Sequence, residues 1–314
     1  MLVAAFLVGC GEQPIPTGSS DAGPAPTFSK ARAPGQAGVG DPEILAMMHE
    51  MNAALAEQGL NIAVEAIDLF TIGAGRPSNR ILQQPFRWVP NDARRVASGI
   101  DITYLVDQSN SATASGLSAA ATEAAVDAAL ATWNAEQSLQ KVSVVKVADP
   151  GTDPTIFDEF FPPSGDDDAD AGFPFFADIV NAGFYSRTFF GNVTGAPDNV
   201  LAFSVTFIFL DAASGNDING DGYIDTALNE VYYNDTFGAP GEPRVGNPWG
   251  INVPLPGIDV QTVALHENGH SLELGHFGPA PDAVMNPVFA GIRILPFPTD
   301  KAGMNAVWSS WPNP

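Results

Sequence analysis

The sequence predicts an α+β fold, and three observations predict it. An alanine-rich helical stretch, Leu117 to Gln137, lies between two strand-like runs, Ile100 to Val106 and Val142 to Val147. A long apolar run, Val200 to Leu210, reads as a further strand. A late stretch, His266 to Phe277 (HENGHSLELGHF), carries three of the four histidines and has helical spacing at its start. Period-two and period-3.6 patterns of this kind separate strands from helices.

At 314 residues the chain suffices for one large domain or two modest ones, and 45% hydrophobic residues allow a full core. The net charge of −23, from 13 basic and 36 acidic residues, argues against nucleic acid as a partner. It suits a secreted protein, calcium binding or a saline habitat. The single cysteine, Cys10, excludes an intrachain disulfide. It ends the run Leu7-Val8-Gly9-Cys10, which resembles a bacterial lipobox, although no basic residue precedes the apolar start. Residues 1–9 then form a signal peptide, and Cys10 carries lipid at the head of a Pro/Gly/Ala/Ser-rich linker over 10–40. No run reaches the roughly 18–20 apolar residues that span a bilayer. The expected location is outside the cell, anchored by lipid alone to the bacterial outer membrane or cell surface.

From Asp41 as N-cap and Pro42 at the first position, a helix is expected with an apolar stripe of Ile44, Leu45, Met48, Met51 and Leu55, ended by Gly59. Leu60 to Ile72 alternates as a strand, and Gly73-Ala74-Gly75 reads as a turn. This helix-strand pair, residues 41–95, is expected to be an accessory region. His49 is read as an exposed helix residue. The second domain, 96–314, has its structured part starting near Gly99, with Ile100 to Val106 as its first strand. In the 117–137 helix, Ala121, Ala124, Ala125, Ala128 and Trp133 are expected to face the sheet. Between 149 and 176, Phe157, Phe160, Phe161, Phe173, Phe175 and Phe176 make the segment apolar enough to pack down, with Asp166-Asp167-Asp168 as a solvated tip.

His266 and His270 are four apart, so a helix places both imidazoles on one face, where they can hold one zinc ion. Glu267 then lies beside a metal-bound water as a general base. His276 joins as third ligand if the chain turns near Gly275. Three nitrogens plus water is the open arrangement of a catalytic zinc.

This stretch resembles the metzincin signature H-E-x-x-H-x-x-G-x-x-H in its matrixin version. Ile258 to Leu265 resembles the start of the matrixin active-site helix, and Asp282 to Phe289 (DAVMNPVF) resembles the Met-turn and S1′ wall. The resemblance is specific over 258–289 and looser over 96–314. It implies a metzincin-like catalytic domain: a mixed, twisted, mostly parallel sheet, an active-site helix and a Met-turn, here with a small N-terminal helix-strand extension. It implies a zinc-dependent endopeptidase that cuts extracellular or periplasmic proteins. Met285 would form the apolar floor under the metal, and Pro287, Val288 and Phe289 the S1′ wall, with Ile292, Ile294 and Leu295 beyond. Substrate would pair along 200–210 as an edge strand. Ala177 to Ile179 resembles another strand of that sheet, and Thr299 to Trp308 the C-terminal helix. No second cysteine exists for a cysteine-switch propeptide. One departure stands out: Glu273 holds the position of the family's turn glycine. Either Glu273 takes a left-handed conformation, or Gly275 makes the turn, or the helix runs on and presents Glu273 itself to the metal.

Asp217, Asn219, Asp221, Tyr223 and Asp225, with Gly222 at position 6, have the spacing of an EF-hand-type loop for a structural calcium ion, with a plain Asp/Asn/Gly hairpin turn as the alternative. Leu228 stands where that loop has its glutamate, and Glu230 could supply oxygens in a longer loop. Two rival functions remain at this point: a catalytically impaired binding protein on the same fold, and a calcium-dependent adhesion module. The expected partner is a protein or peptide substrate, and the expected state is a monomer.

Overall fold

Residues 42–73, 84–97, 99–136, 141–161, 175–210, 216–278 and 280–312 are described by the computed structural model. The expectations for the signal peptide, Cys10, the linker, Asp41, Ala74-Gly75, Phe173 and Asp166–Asp168 lie outside these residues. Among the described residues no helix is long and apolar enough to cross a membrane.

The fold is α+β, built on a mixed, mostly parallel sheet. In chain order its elements are α1 (Pro42–Glu57), β1 (Ile62–Ile72), β2 (Phe86–Arg87), β3 (Ile102–Val106), α2 (Ala119–Asn134), β4 (Val144–Lys146), β5 (Ile179–Tyr185), α3 (Arg187–Thr194), β6 (Val200–Phe209), β7 (Ile224–Asn234), β8 (Trp249–Gly250), β9 (Ile258–Asp259), α4 (Val260–Ser271), β10 (Val288–Phe289) and α5 (Pro298–Trp308). The main sheet runs β10-β1-β6-β7-β5-β3-β4, with β2 pairing onto the start of β7. β4, β3, β5 and β7 are mutually parallel, and β6 is antiparallel to both β7 and β1.

Strands buried on both faces send alternate side chains to two cores. Ile102, Tyr104 and Val106 of β3, with Val231 and Tyr233 of β7, face the core shared with α2, α4 and α5. Leu105, Leu228 and Tyr232 face the opposite core, with α1, α3 and an aromatic group around Phe157, Phe189 and Phe203. Phe160, Phe161, Phe175 and Phe176 pack against that second core, as their density in the sequence predicts. Glu230, on β7, is buried there and accepts from the backbone N–H of Ile156 (2.7 Å) and Phe157 (3.1 Å) and from the Tyr232 hydroxyl (2.8 Å). It therefore holds the 156–157 segment to the sheet and serves no calcium loop. Burial, and then the charge of Asp158, push its carboxyl up to about 8.

Three expectations are corrected. Residues 41–95 are not an accessory region beside a domain that starts at 96. β1 pairs with β6 from Ile62 to Thr71 and with β10 at its end, so it is an internal strand of the main sheet. Asn52 of α1 donates to the Val64 carbonyl (2.9 Å) and accepts from its N–H (2.7 Å), serving backbone groups next to a register shift. Further along, the buried Arg95 pairs with Asp178 beside β5 at 2.8 Å and donates to the carbonyls of Val89, Gly99 and Asp101. The second correction follows from the first: β6 is not an edge strand, because β1 takes its free side. The third concerns α2, whose buried face is Thr122, Ala125, Val126, Ala129, Leu130 and Trp133. Ala124 is exposed and Ala121 and Ala128 are half-buried, because Trp133 sets the rotation by donating its indole N–H to the Leu265 carbonyl of α4 (2.8 Å).

The α1 expectation holds for Ile44, Met48, Met51 and Leu55, all buried, whereas Leu45 is exposed. Its end is the expected one: Gly59 takes φ +76°, with Gly59 N–H to Ala56 and Leu60 N–H to Leu55 closing the helix.

Candidate metal centre

Helix α4 starts where Asp259 accepts from the Thr262 N–H (2.9 Å) and hydroxyl (2.7 Å), an N-cap that satisfies an otherwise unpaired donor. One face of this helix carries His266 and His270, and the chain then reverses to bring His276 to them. The reversal is a Schellman closure: Leu274 N–H reaches the Gly269 carbonyl (3.0 Å) and Glu273 N–H the His270 carbonyl (2.7 Å). Glu273 takes the left-handed position at φ +71°, and Gly275 does not make the turn. A non-glycine residue pays roughly 1–2 kcal/mol there. The Glu273 carboxyl offsets this: its Oε1 accepts from the Trp88 N–H and from the Thr226 hydroxyl (3.1 Å), while its backbone carbonyl accepts from Gln84 (3.0 Å). The side chain points away from the histidines, so the arrangement in which Glu273 is the third ligand does not form.

The three Nε2 atoms converge, 3.2 Å between His266 and His276, 3.2 Å between His270 and His266, and 3.1 Å between His270 and His276. Backbone carbonyls fix two tautomers. Val284 and Leu274 each lie 2.7 Å from a Nδ1, of His266 and His270 respectively. A carbonyl only accepts, so Nδ1 carries the proton and Nε2 presents its lone pair. Burial, and the mutual charge of the histidines, hold His266 and His276 well below the ordinary imidazole value, and burial brings His270 down to about 4. Three neutral rings aiming lone pairs at one point fit a cation. Nitrogens about 2.0–2.1 Å from one ion at tetrahedral angles would lie about 3.3–3.4 Å apart, close to what is seen. Among the described residues this is the one group of His, Cys, Asp or Glu side chains that could hold a metal ion.

Glu267 is fully buried, and neither carboxylate oxygen has a hydrogen-bond partner. Burial, and then the charge of Asp68, push its carboxyl well above the usual range. A buried unpaired carboxyl costs stability, and groups perturbed in this way cluster at functional sites.

Met285 is buried, and its position depends on Gly269. A Cβ at Gly269 would collide with the Met285 sulfur and lie 3.2 Å from the Trp133 ring. Asp300 of α5 holds the Met285 loop by accepting from Val284 (2.8 Å) and Met285 (3.2 Å), and Phe277 N–H donates to the Met285 carbonyl (2.8 Å). Gly269→Ala is therefore expected to cost about 1–3 kcal/mol by overpacking. A urea-unfolding midpoint unchanged from the parent would contradict this packing.

Pro287 and Phe289 are buried and Val288 is half-buried. Ile292, Ile294 and Leu295 are exposed, so they do not extend this wall. In the 217–225 loop the side chains hold backbone donors and a distant arginine. Asp217 accepts from the N–H groups of Gly220, Asp221 and Gly222, Asp221 accepts from Tyr223, and Asp225 pairs with Arg94 at 2.6 Å. Asn219 donates to Asp221 (3.2 Å), and the Tyr223 ring lies under the Arg87 guanidinium. The carboxylates stiffen this turn.

Sequence reasoning missed several residues around the centre. Asp68 and Phe70 come from β1, Ser204 from β6. Buried Asn181 and Tyr233 form a network with Asn268, whose Nδ2 reaches Asn181 Oδ1 at 3.0 Å. The one signal available was the acidic Asp68 inside the apolar run IAVEAIDLFTI. The chain matches no protein-family model, and no curated protein sequence is detectably similar to it.

Proposed function

We propose that the chain is a zinc-dependent endopeptidase of metzincin type, acting on proteins outside the cell. The observation that carries this reading is the convergence of three Nε2 lone pairs beside a buried, unpaired carboxyl. His266, His270 and His276 would hold the ion, which suits zinc because all three donors are neutral imidazole nitrogens. Zinc, when bound, supplies a Lewis acid for the scissile carbonyl and acidifies a water. Glu267 would accept that water's proton and deliver it to the leaving amine. Met285 and Phe289 would keep the surroundings apolar, and Val284 and Leu274 would hold two rings in the ligating tautomer.

Metal analysis tests the reading. Purified protein is expected to bind one zinc per chain. His276→Ala is expected to weaken zinc binding by more than the roughly 10–100-fold that loss of an outer-shell partner produces. A parent chain that takes up no zinc, or a His276→Ala variant that holds it as tightly, would reject the assignment. The lipid anchor at Cys10 belongs to the same reading, and a lipid mass on that residue is its test.

A further inference from the structure

The metal centre is closed, and one strand closes it. His266, Glu267, His270 and His276 are each at most 2% exposed. The cover is β1. It runs antiparallel to β6 from Ile62↔Phe209 to Thr71↔Val200 and parallel to β10 at Thr71↔Val288 and Ile72↔Phe289. Its backbone is held on both sides at that end: Thr71 N–H donates to the Pro287 carbonyl (3.2 Å) and Ile72 N–H to the Asn199 carbonyl (2.8 Å). Between these partners Phe70 lays its ring on His266, centroids 3.8 Å apart and planes 9° apart, with Phe289 edge-on at 6.1 Å. Two residues earlier Asp68 is buried, close enough for its charge to act on Glu267. Gln84 donates to Asp68 at 3.0 Å.

An extended peptide that binds by strand addition needs a free strand edge for its backbone and a pocket for its side chains. Beside this centre the edge is that of β6 and the pocket is the space between His266 and Phe289. Both are taken by β1. We propose that Ile62–Ile72 lies in the peptide-binding track as an internal substrate-like strand. It keeps the full chain latent, and Phe70 marks the side chain that the pocket accepts: an aromatic ring stacked on His266. This rests on the peptidase reading above. It also gives the 42–72 segment a function beyond completing the sheet: α1 packs on β1 through Ile44, Met48, Met51 and Leu55 and holds the strand in place. A substrate reaches the metal only when β1 leaves β6.

The probe is a peptide hydroxamate bearing a phenylalanine side chain, used with the zinc-loaded full chain. Binding is measured by calorimetry, turnover with a quenched peptide, and β1 seating by amide hydrogen exchange. If β1 is seated in at least nine molecules of ten, apparent affinity is reduced about tenfold or more by the competent fraction. Phe70→Ala and Thr71→Pro, which remove the seated ring and a strand hydrogen bond, are therefore expected to bind the probe and turn over peptide at least about tenfold better. In the parent, saturating probe is expected to speed exchange across 62–72. This last measurement stands even where a variant fails to fold. A parent that binds the probe while its 62–72 amides stay protected, or that cleaves as fast as folded variants, overturns the latent-strand proposal and leaves the peptidase reading intact. Probe binding that frees β1 without any cleavage by parent or variants overturns the peptidase reading and supports the strand's seat.

Discussion

Glu267→Gln is expected to retain zinc and fold while losing about 10²–10⁴-fold of peptide-hydrolysing activity, the usual contribution of a positioned acid–base group. The substitution is nearly isosteric, and neither Glu267 oxygen makes a hydrogen bond that the fold would lose. An amide also removes the penalty of burying a carboxylate, so stability is expected to hold or rise. The residue cannot accept a proton, and that step alone is removed. The comparison belongs in the Phe70→Ala background as well as in the parent, so that a seated β1 does not mask the effect. Metal content equal to the parent's, with turnover also equal, would show that Glu267 is not the base.

The second large effect is at Glu273, and two variants separate its backbone from its carboxyl. From the sequence alone, glycine there is expected to be harmless or stabilising, because it takes a left-handed turn without strain. The structure reverses that expectation. Glu273→Gly relieves roughly 1–2 kcal/mol of backbone strain. It also deprives the buried Trp88 N–H and Thr226 hydroxyl of their acceptor, at about 1–3 kcal/mol each. The expected net result is destabilisation by about 2.5 kcal/mol at the middle of these ranges with zinc retained, read from urea unfolding. Zinc lost from Glu273→Gly but kept in His276→Ala would restore Glu273 as the third ligand.

Glu273→Gln keeps an oxygen for both donors and isolates the protonation of the carboxyl. Burial pushes that carboxyl well above its ordinary value, with hydrogen bonds from Trp88 and Thr226 only partly opposing it. The folded protein therefore keeps a proton that the unfolded chain has lost above about pH 4.3. With fewer protons bound in the unfolded state, stability falls as pH rises. Glutamine has no such proton to lose. The stability of Glu273→Gln relative to the parent is expected to climb as pH increases from 4.5 upward. A pH-independent difference between the two would mean that the carboxyl is ionised in the fold.

What could be read directly was the local spacing. His266 and His270 one turn apart, Glu267 between them and His276 beyond a turn are decided within eleven residues, where helix geometry governs which side chains meet. Several elements were equally legible, because each carries its own period: α1 and its Gly59 stop, β3, α2 and β4. The histidine triad and the α+β class were therefore within reach of the sequence by itself.

Tertiary structure alone decided two things. One is the partner of β6: its pattern says that it is a buried strand but not which chain segment pairs with it. The answer, β1, lies more than a hundred residues away. The other is the destination of the Glu273 side chain. Its acceptor oxygen is used by Trp88 and Thr226, 185 and 47 residues distant. A residue that looks misplaced at a turn is held there by donors that no local window contains. The same holds for Asp225, whose carboxylate pairs with Arg94 from a distant loop. Strand pairing and the burial of a charged group are set by whichever distant groups satisfy them, and only the folded chain brings those groups together.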